Sequence, residues 1–224
     1  MEEEALMREE PRTTITISRQ MGSGGSYVGY LVAKELGFRY VDREILRLAA
    51  EHLGTDTSVL ESHDGRTCGL IDNLVRAFSF GTPETAYVPS LNRPVYDKDL
   101  FTLESKIMNE IADQYNAVIA GRAGFHVLRG RPGVVHIFIH APLEFRIQRV
   151  MQVQHITDAR EARTKVEEAD RARSKFVRDM VGVDWNDARN FHLCIDAGAV
   201  GFHTSAEMII KLVGEKRRQG GGKP

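Results

Sequence analysis

Apolar and polar positions alternate from Thr13 to Arg19 (TTITISR), and most of these residues are β-branched, which predicts a strand. Ser26–Gly37 then carries Val28, Leu31, Val32 and Leu36 at helical spacing and ends on a glycine, which predicts a helix closed by Gly37. Phe38–Val41 is a short apolar run, read as a second strand, and Asp42 stands where it can cap a helix over Arg43–Leu53. From Gly54 to Lys98 the periodicity weakens and breakers accumulate (Gly81-Thr82-Pro83, Arg93-Pro94), so an irregular insert with one helix near Leu70–Phe80 is expected.

Regular patterning returns at Asp99–Tyr115, where Leu103, Ile107, Met108, Ile111 and Tyr115 share a helical face. Ala117–Ala120 and Val134–His140 (VVHIFIH) read as buried strands, and Pro142 is suited to the first turn of the helix that follows. Leu143–Met180 is helical and densely charged, with a break expected near Ile156–Asp158. Phe191–Ile195 is a last strand. Thr204–Val213 is a last helix, with Ala206, Ile209, Ile210 and Val213 inward.

Strand and helix repeat in turn, which predicts an α/β fold with a parallel sheet covered on both faces. Ligands of such sheets sit at the carboxyl ends of the strands. Three stretches fall there: Arg19–Ser26, Gly121-Arg122 and Asp196.

A chain of 224 residues with 42% apolar content supports a single domain, expected over 13–214, with the insert at 54–98 and a helical lid at 146–180. Residues 1–12 and 215–224 read as flexible tails. The net charge of −1 offers no global field for nucleic acid, so any anion site must be built locally. No apolar run approaches the ~20 residues of a membrane span, and the acidic start lacks the apolar core of a secretory signal. A soluble cytoplasmic protein is expected. Cys68 and Cys194 lack metal-ligand spacing and read as reduced structural thiols. No G-x-S-x-G elbow is present, so a hydrolase triad has no support.

The chemistry concentrates in RQMGSGGS, Arg19–Ser26. A strand, a glycine-rich turn and a helix N-terminus aim unpaired main-chain N–H groups at one point, where the helix dipole also favours an anion. Gly22, Ser23, Gly24, Gly25 and Ser26 are the candidate phosphate contacts, with the Ser26 hydroxyl suited to a phosphate-bound Mg²⁺. In the common loop G-x-x-x-x-G-K-[ST], Gly25 takes the lysine position and Arg19 that of the first glycine. Arg19 is a candidate substitute for the missing charge. A tight turn that only needs left-handed backbone is the competing reading.

Residues 15–42 (ITISRQMGSGGSYVGYLVAKELGFRYVD) resemble the opening of the cytidylate kinase-like family, whose loop reads I-S-R-x-x-G-S-G-G without lysine. The segments AVIAGRAGF, VVHIFIHAPLEFRIQRV, EEADRARSKF and FHLCIDAG follow in the family's order. The resemblance implies a P-loop NTPase-type three-layer α/β/α fold with a helical lid and an acceptor-binding insert. It also implies phosphoryl transfer from ATP, with Mg²⁺, to a nucleoside monophosphate, CMP or dCMP first, with no nucleic acid or membrane partner. On the acceptor side the family's motifs carry over to Asp42, Arg122, Asp170 and, one position off, Arg47. Here Ala123 stands where the G-R-D stretch has aspartate, and Glu44 where D-x-G has glycine.

Phosphoryl transfer needs aligned substrates, exclusion of water and positive charge around the moving group. Arg19, Arg149 and Arg173 are the candidate catalytic groups, because a guanidinium fork can hold two phosphate oxygens at once. Most other charges between Arg146 and Arg178 read as a solvated, salt-bridged face. Two alternatives stay open: a nucleotide-binding regulatory module without transfer activity, and a kinase for a different small acceptor. Gly25 and Ala123 motivate the first, and the 54–98 insert the second.

Overall fold

The computed structural model describes residues 12–43, 46–47 and 98–221. Cys68, residues 54–97 of the expected insert, its helix near Leu70–Phe80, and the tail 1–11 lie outside the described residues. Of the helix expected over Arg43–Leu53, only Arg43, Leu46 and Arg47 are described, and they are helical.

Five strands form one parallel sheet in the order β2-β3-β1-β4-β5. They are β1 (Thr14–Arg19), β2 (Arg39–Asp42), β3 (Ala117–Ala120), β4 (Val134–His140) and β5 (Leu193–Asp196). The helices are α1 (Gly25–Leu36), α2 (Lys98–Gln114), α3 (Gly124–Val127), α4 (Leu143–Gln154), α5 (Ala159–Val181), α6 (Ala197–Val200) and α7 (Phe202–Gly221). β3 and β4 are buried almost throughout, as expected of parallel strands covered on both faces.

Two apolar layers enclose the sheet. Val28 and Val32 of α1 pack with Ile209 and Val213 of α7 against Ile15, Ile17 and Ile137. On the other face Ile107, Met108 and Ile111 of α2 cover Val41, Ala117 and Ile119. The expected elements are present, with shifts that have local causes. Pro142 is the N-cap of α4, with ψ of 145°, and the helix proper begins at Leu143. The expected break between the lid helices falls at His155–Asp158, with Asp158 capping α5 through the Arg160 N–H.

Residues 215–221, expected as tail, continue α7. Arg217 anchors that end by donating to the Thr13 hydroxyl and lying over the Phe38 ring. Asp196, at the end of β5, caps α6 by accepting from the N–H groups of Gly198 and Ala199. No helix among the described residues is long and apolar enough to cross a membrane.

Candidate active site

The loop between β1 and α1 lies at the carboxyl edge of the sheet, beside the central strands. Gly22 and Gly24 have φ of 77° and 79°, the left-handed region that glycine enters without cost. A side chain at either would also collide. A Cβ on Gly22 would lie 2.5 Å from the Arg146 carbonyl oxygen, and one on Gly24 would strike the Phe202 ring. Gly24 caps α1 without a side-chain hydrogen bond, so no capping side chain competes with an anion for the first-turn N–H groups.

Arg19 leaves the end of β1 and runs beneath this loop. Its Nε donates to the Ser26 hydroxyl at 3.2 Å. Its side chain fills the space where Gly25 and Gly121 would each carry a Cβ. The guanidinium therefore spans the gap between the phosphate loop and the loop after β3. The half-buried Tyr40 sets its hydroxyl out of solvent beside it, pushed up to about 12, mainly by burial. The nearby positive charge of Arg19 works against that rise and Asp42 adds to it. Asp42 closes β2 on the same edge.

One cavity is lined by Arg19, Gly24, Gly25 and Ser26 from below and by Arg149 and Arg173 from the lid helices. The structure thus gathers the three arginines singled out in the sequence around the glycine loop. Arg149 lies 4.1 Å over the Phe202 ring, which in turn packs edge-on with Tyr27 and Phe145. Arg173 is held by Asp170, 3.1 Å away on the preceding turn of α5.

Three of the expected site residues are held by protein groups. Ser23 is fully buried and turns inward. Its N–H donates to the Gln20 carbonyl, and its hydroxyl reaches the carbonyls of Gln20 and Ile139. It fastens the loop to β4 and presents neither its amide nor its hydroxyl to a phosphate. Asp170 faces the phosphate loop. It accepts from the Met21 N–H at 2.9 Å and from Arg146 at 2.6 Å.

Arg122 is the third. It pairs with the fully buried Glu104 of α2 and lies 4.4 Å over the Phe176 ring of α5. Burial raises the Glu104 carboxyl, against the pull of Arg122, and burial likewise lowers Arg122. Arg47 is near enough for its charge to act on Glu104. Arg122 and Ala123 have φ of 50° and 54°, and the Gly124 N–H closes a turn onto the Gly121 carbonyl. Two consecutive non-glycine residues in this region store strain of about 1–3 kcal/mol each.

Sequence reasoning missed Arg146 and Glu104. Arg146 is buried and donates to the carbonyls of Ala141 and Met21 as well as to Asp170. It looked like one more charge on a solvated face. Glu104 did carry a signal: it stands three and four residues before Ile107 and Met108, inside the apolar stripe of α2.

A parallel sheet with a glycine loop joining its central strand to a helix N-terminus, under a two-helix lid, defines a P-loop kinase fold. The family model described as cytidylate kinase-like matches residues 14–199, and the chain belongs to that family. Among solved structures, an uncharacterized protein from Eubacterium ventriosum has the same fold, with a TM-score of 0.67 at 20% identity over 90% of this chain and 98% of that one. Shikimate kinase from Bacteroides thetaiotaomicron gives 0.48 at 14% identity, covering 90% of this chain and 98% of that one. Shikimate kinase from Acinetobacter baumannii, in complex with shikimate, gives 0.45 at 16%, covering 91% and 94%. A search of curated proteins returned no match.

Proposed function

We propose that the protein transfers the γ-phosphoryl group of ATP to a nucleoside monophosphate, with CMP or dCMP the first choice. The observation that carries this reading is the position of Arg19. Its side chain bridges Ser26 of the phosphate loop and Gly121 of the loop after β3. A cation there lies between donor and acceptor, where the moving group carries its charge.

In the reaction, an acceptor phosphate oxygen forms a bond to the γ-phosphorus as the bond to the β-bridging oxygen breaks, leaving ADP. The first-turn amides of α1 bind the donor phosphates. Arg19, Arg149 and Arg173 hold the equatorial oxygens in line and stabilise their charge. Asp42, Arg47 and Arg122 stand on the acceptor side, with Arg122 tied to Glu104.

Among the described residues no three His, Cys, Asp or Glu side chains converge as a metal cage. Mg²⁺ would arrive with the nucleotide, since this ion keeps waters and phosphate oxygens and takes few protein ligands. Ser26 is the residue that would hold it, once Arg19 turns from its hydroxyl to phosphate. Bound there, Mg²⁺ supplies charge neutralisation of the phosphates.

An assay of ADP release against a panel of nucleoside monophosphates, with shikimate and other small acceptors included, tests the proposal. Turnover with CMP or dCMP at ordinary kinase rates, about 1–100 per second, is expected. Tight Mg·ATP binding without turnover on any acceptor would favour a regulatory module instead. The commitment of Arg122 to Glu104 and the presence of Ala123 make that the second reading. Absence of Mg·ATP binding would overturn both.

A further inference from the structure

Asp170 stands where three parts of the site meet, and nothing in the reaction outlined above uses it. One carboxylate oxygen accepts from the main-chain N–H of Met21, two residues before Ser23 in the phosphate loop, and from Arg173 at 3.1 Å. The other accepts from Arg146 at 2.6 Å. Arg146 also donates to the Met21 carbonyl, at 3.3 Å, and to the Ala141 carbonyl, at 3.0 Å. Both polar groups of the Met21 backbone are thus held by one ion pair, formed between α4 and α5.

The packing follows the same line. The Met21 side chain is buried among Ile147 and Val150 of α4 and Ala162 and Val166 of α5. The Arg146 carbonyl closes over Gly22 so tightly that a Cβ there would overlap it. The lid helices and the first half of the loop are therefore one packed unit. Arg173, which lines the phosphate cavity, is carried on the same carboxylate.

We propose that Asp170 is a positioning residue: a latch that fixes the Met21–Gly22 half of the phosphate loop against the lid and sets Arg173 toward the donor phosphates. It serves the donor side, and it acts through Met21 and Arg173. A loop held in its binding shape before the nucleotide arrives spends less binding energy on ordering. The inference rests on the proposed nucleotide reading for its effect on ATP, while the latch itself is readable without nucleotide.

Two variants of the full chain separate the contributions. Asp170→Ala removes all three contacts, whereas Asp170→Asn keeps an oxygen for the Met21 N–H and loses the charge that pairs with Arg146 and Arg173. In nucleotide-free protein, hydrogen exchange at the Met21 amide should accelerate at least about tenfold in Asp170→Ala and less in Asp170→Asn. Mg·ATP affinity by calorimetry should fall about tenfold in Asp170→Ala and about threefold in Asp170→Asn. In the ADP-release assay, KM for the acceptor should stay within about twofold.

Unchanged Met21 protection in a folded variant overturns the latch. So does a raised acceptor KM with Mg·ATP affinity intact, which would make Asp170 an acceptor ligand. If Asp170→Ala fails to fold because Arg146 is left buried and unpaired, Asp170→Asn alone carries the test through the same two readouts. If the wild-type protein binds no Mg·ATP, the nucleotide reading falls, and the exchange rate at Met21 still decides the latch.

Discussion

Gly25 has given its side-chain space to Arg19. A β-carbon built at Gly25 would overlap the Cβ of Arg19 and lie 3.0 Å from its Cγ. The position that bears lysine in the common phosphate loop is therefore closed to any side chain while the arginine lies beneath it. The missing lysine and the arginine at the end of β1 are one arrangement.

Restoring the lysine should consequently harm the protein. Gly25→Lys and Gly25→Ala should each destabilise it by about 1–3 kcal/mol, the usual cost of overpacking, because a Cβ is too close to the main chain to swing away. Adding Arg19→Gly to Gly25→Ala should recover most of that stability and none of the Mg·ATP affinity. Denaturant melts and calorimetry read the two effects separately. Equal stability of Gly25→Ala and wild type would show that the arginine does not exclude the lysine.

Arg149 is held to the lid side of the cavity by its stack on Phe202. A guanidinium placed to meet charge that develops in the transition state should show itself in kcat more than in KM. Arg149→Ala should lower kcat by about a hundredfold, with KM for ATP changed less than about threefold. Phe202→Ala should reproduce part of that loss. The double variant should then be no worse than Arg149→Ala alone, because the ring acts through the arginine. Steady-state kinetics on the four proteins decide it, and additive losses would assign Phe202 an independent role.

What could be read from the chain and what could not divide along physical lines. The continuous apolar run VVHIFIH and the spacing of Val28, Leu31 and Val32 are local records of burial, and they gave β4 and α1 almost to the residue. The glycine loop was legible because left-handed backbone leaves a glycine signature. The partners of Arg122, Asp170 and Ser23 were not. Each is fixed by a residue at least 18 positions away: Glu104, Met21 and Ile139. A motif states which side chains reach the sheet edge, whereas the long-range packing decides whether they meet a ligand or one another.

The Arg122–Glu104 pair should behave as a buried ion pair whose halves depend on each other. Glu104 is fully buried, and one of its oxygens, Oε1, has no hydrogen-bond partner among the described residues. Glu104→Ala would leave the guanidinium buried and uncompensated, at a cost of about 3–5 kcal/mol. Replacing both, as Glu104→Met with Arg122→Leu, should cost less than Glu104→Ala alone, because no charge remains to be desolvated. Chemical denaturation of the two variants checks the ordering. The opposite order would mean that Arg122 reaches solvent or ligand and does not need Glu104.

Where β4 meets the start of β5, His136 and His192 stack with ring centroids 5.1 Å apart. His136 shares a hydrogen bond with the Thr16 hydroxyl at 2.8 Å, and its main-chain N–H donates to Nδ1 of His192. Burial is the main reason that His136 is lowered to about 4, with positive charge from His192, Lys216 and Arg129 adding to it. His192 is lowered too, first by burial and then by Lys216. A histidine lowered on folding binds its proton more readily in the unfolded chain. The protein should hold its full stability above pH 6.5 and lose about 2–3 kcal/mol as the pH falls from there toward 4, through this residue alone. His136→Gln can still bond Thr16 and cannot titrate, so its stability should vary less with pH across that window. Denaturant midpoints taken at both ends of it provide the comparison, and parallel curves for the two proteins would remove His136 as the source of acid sensitivity.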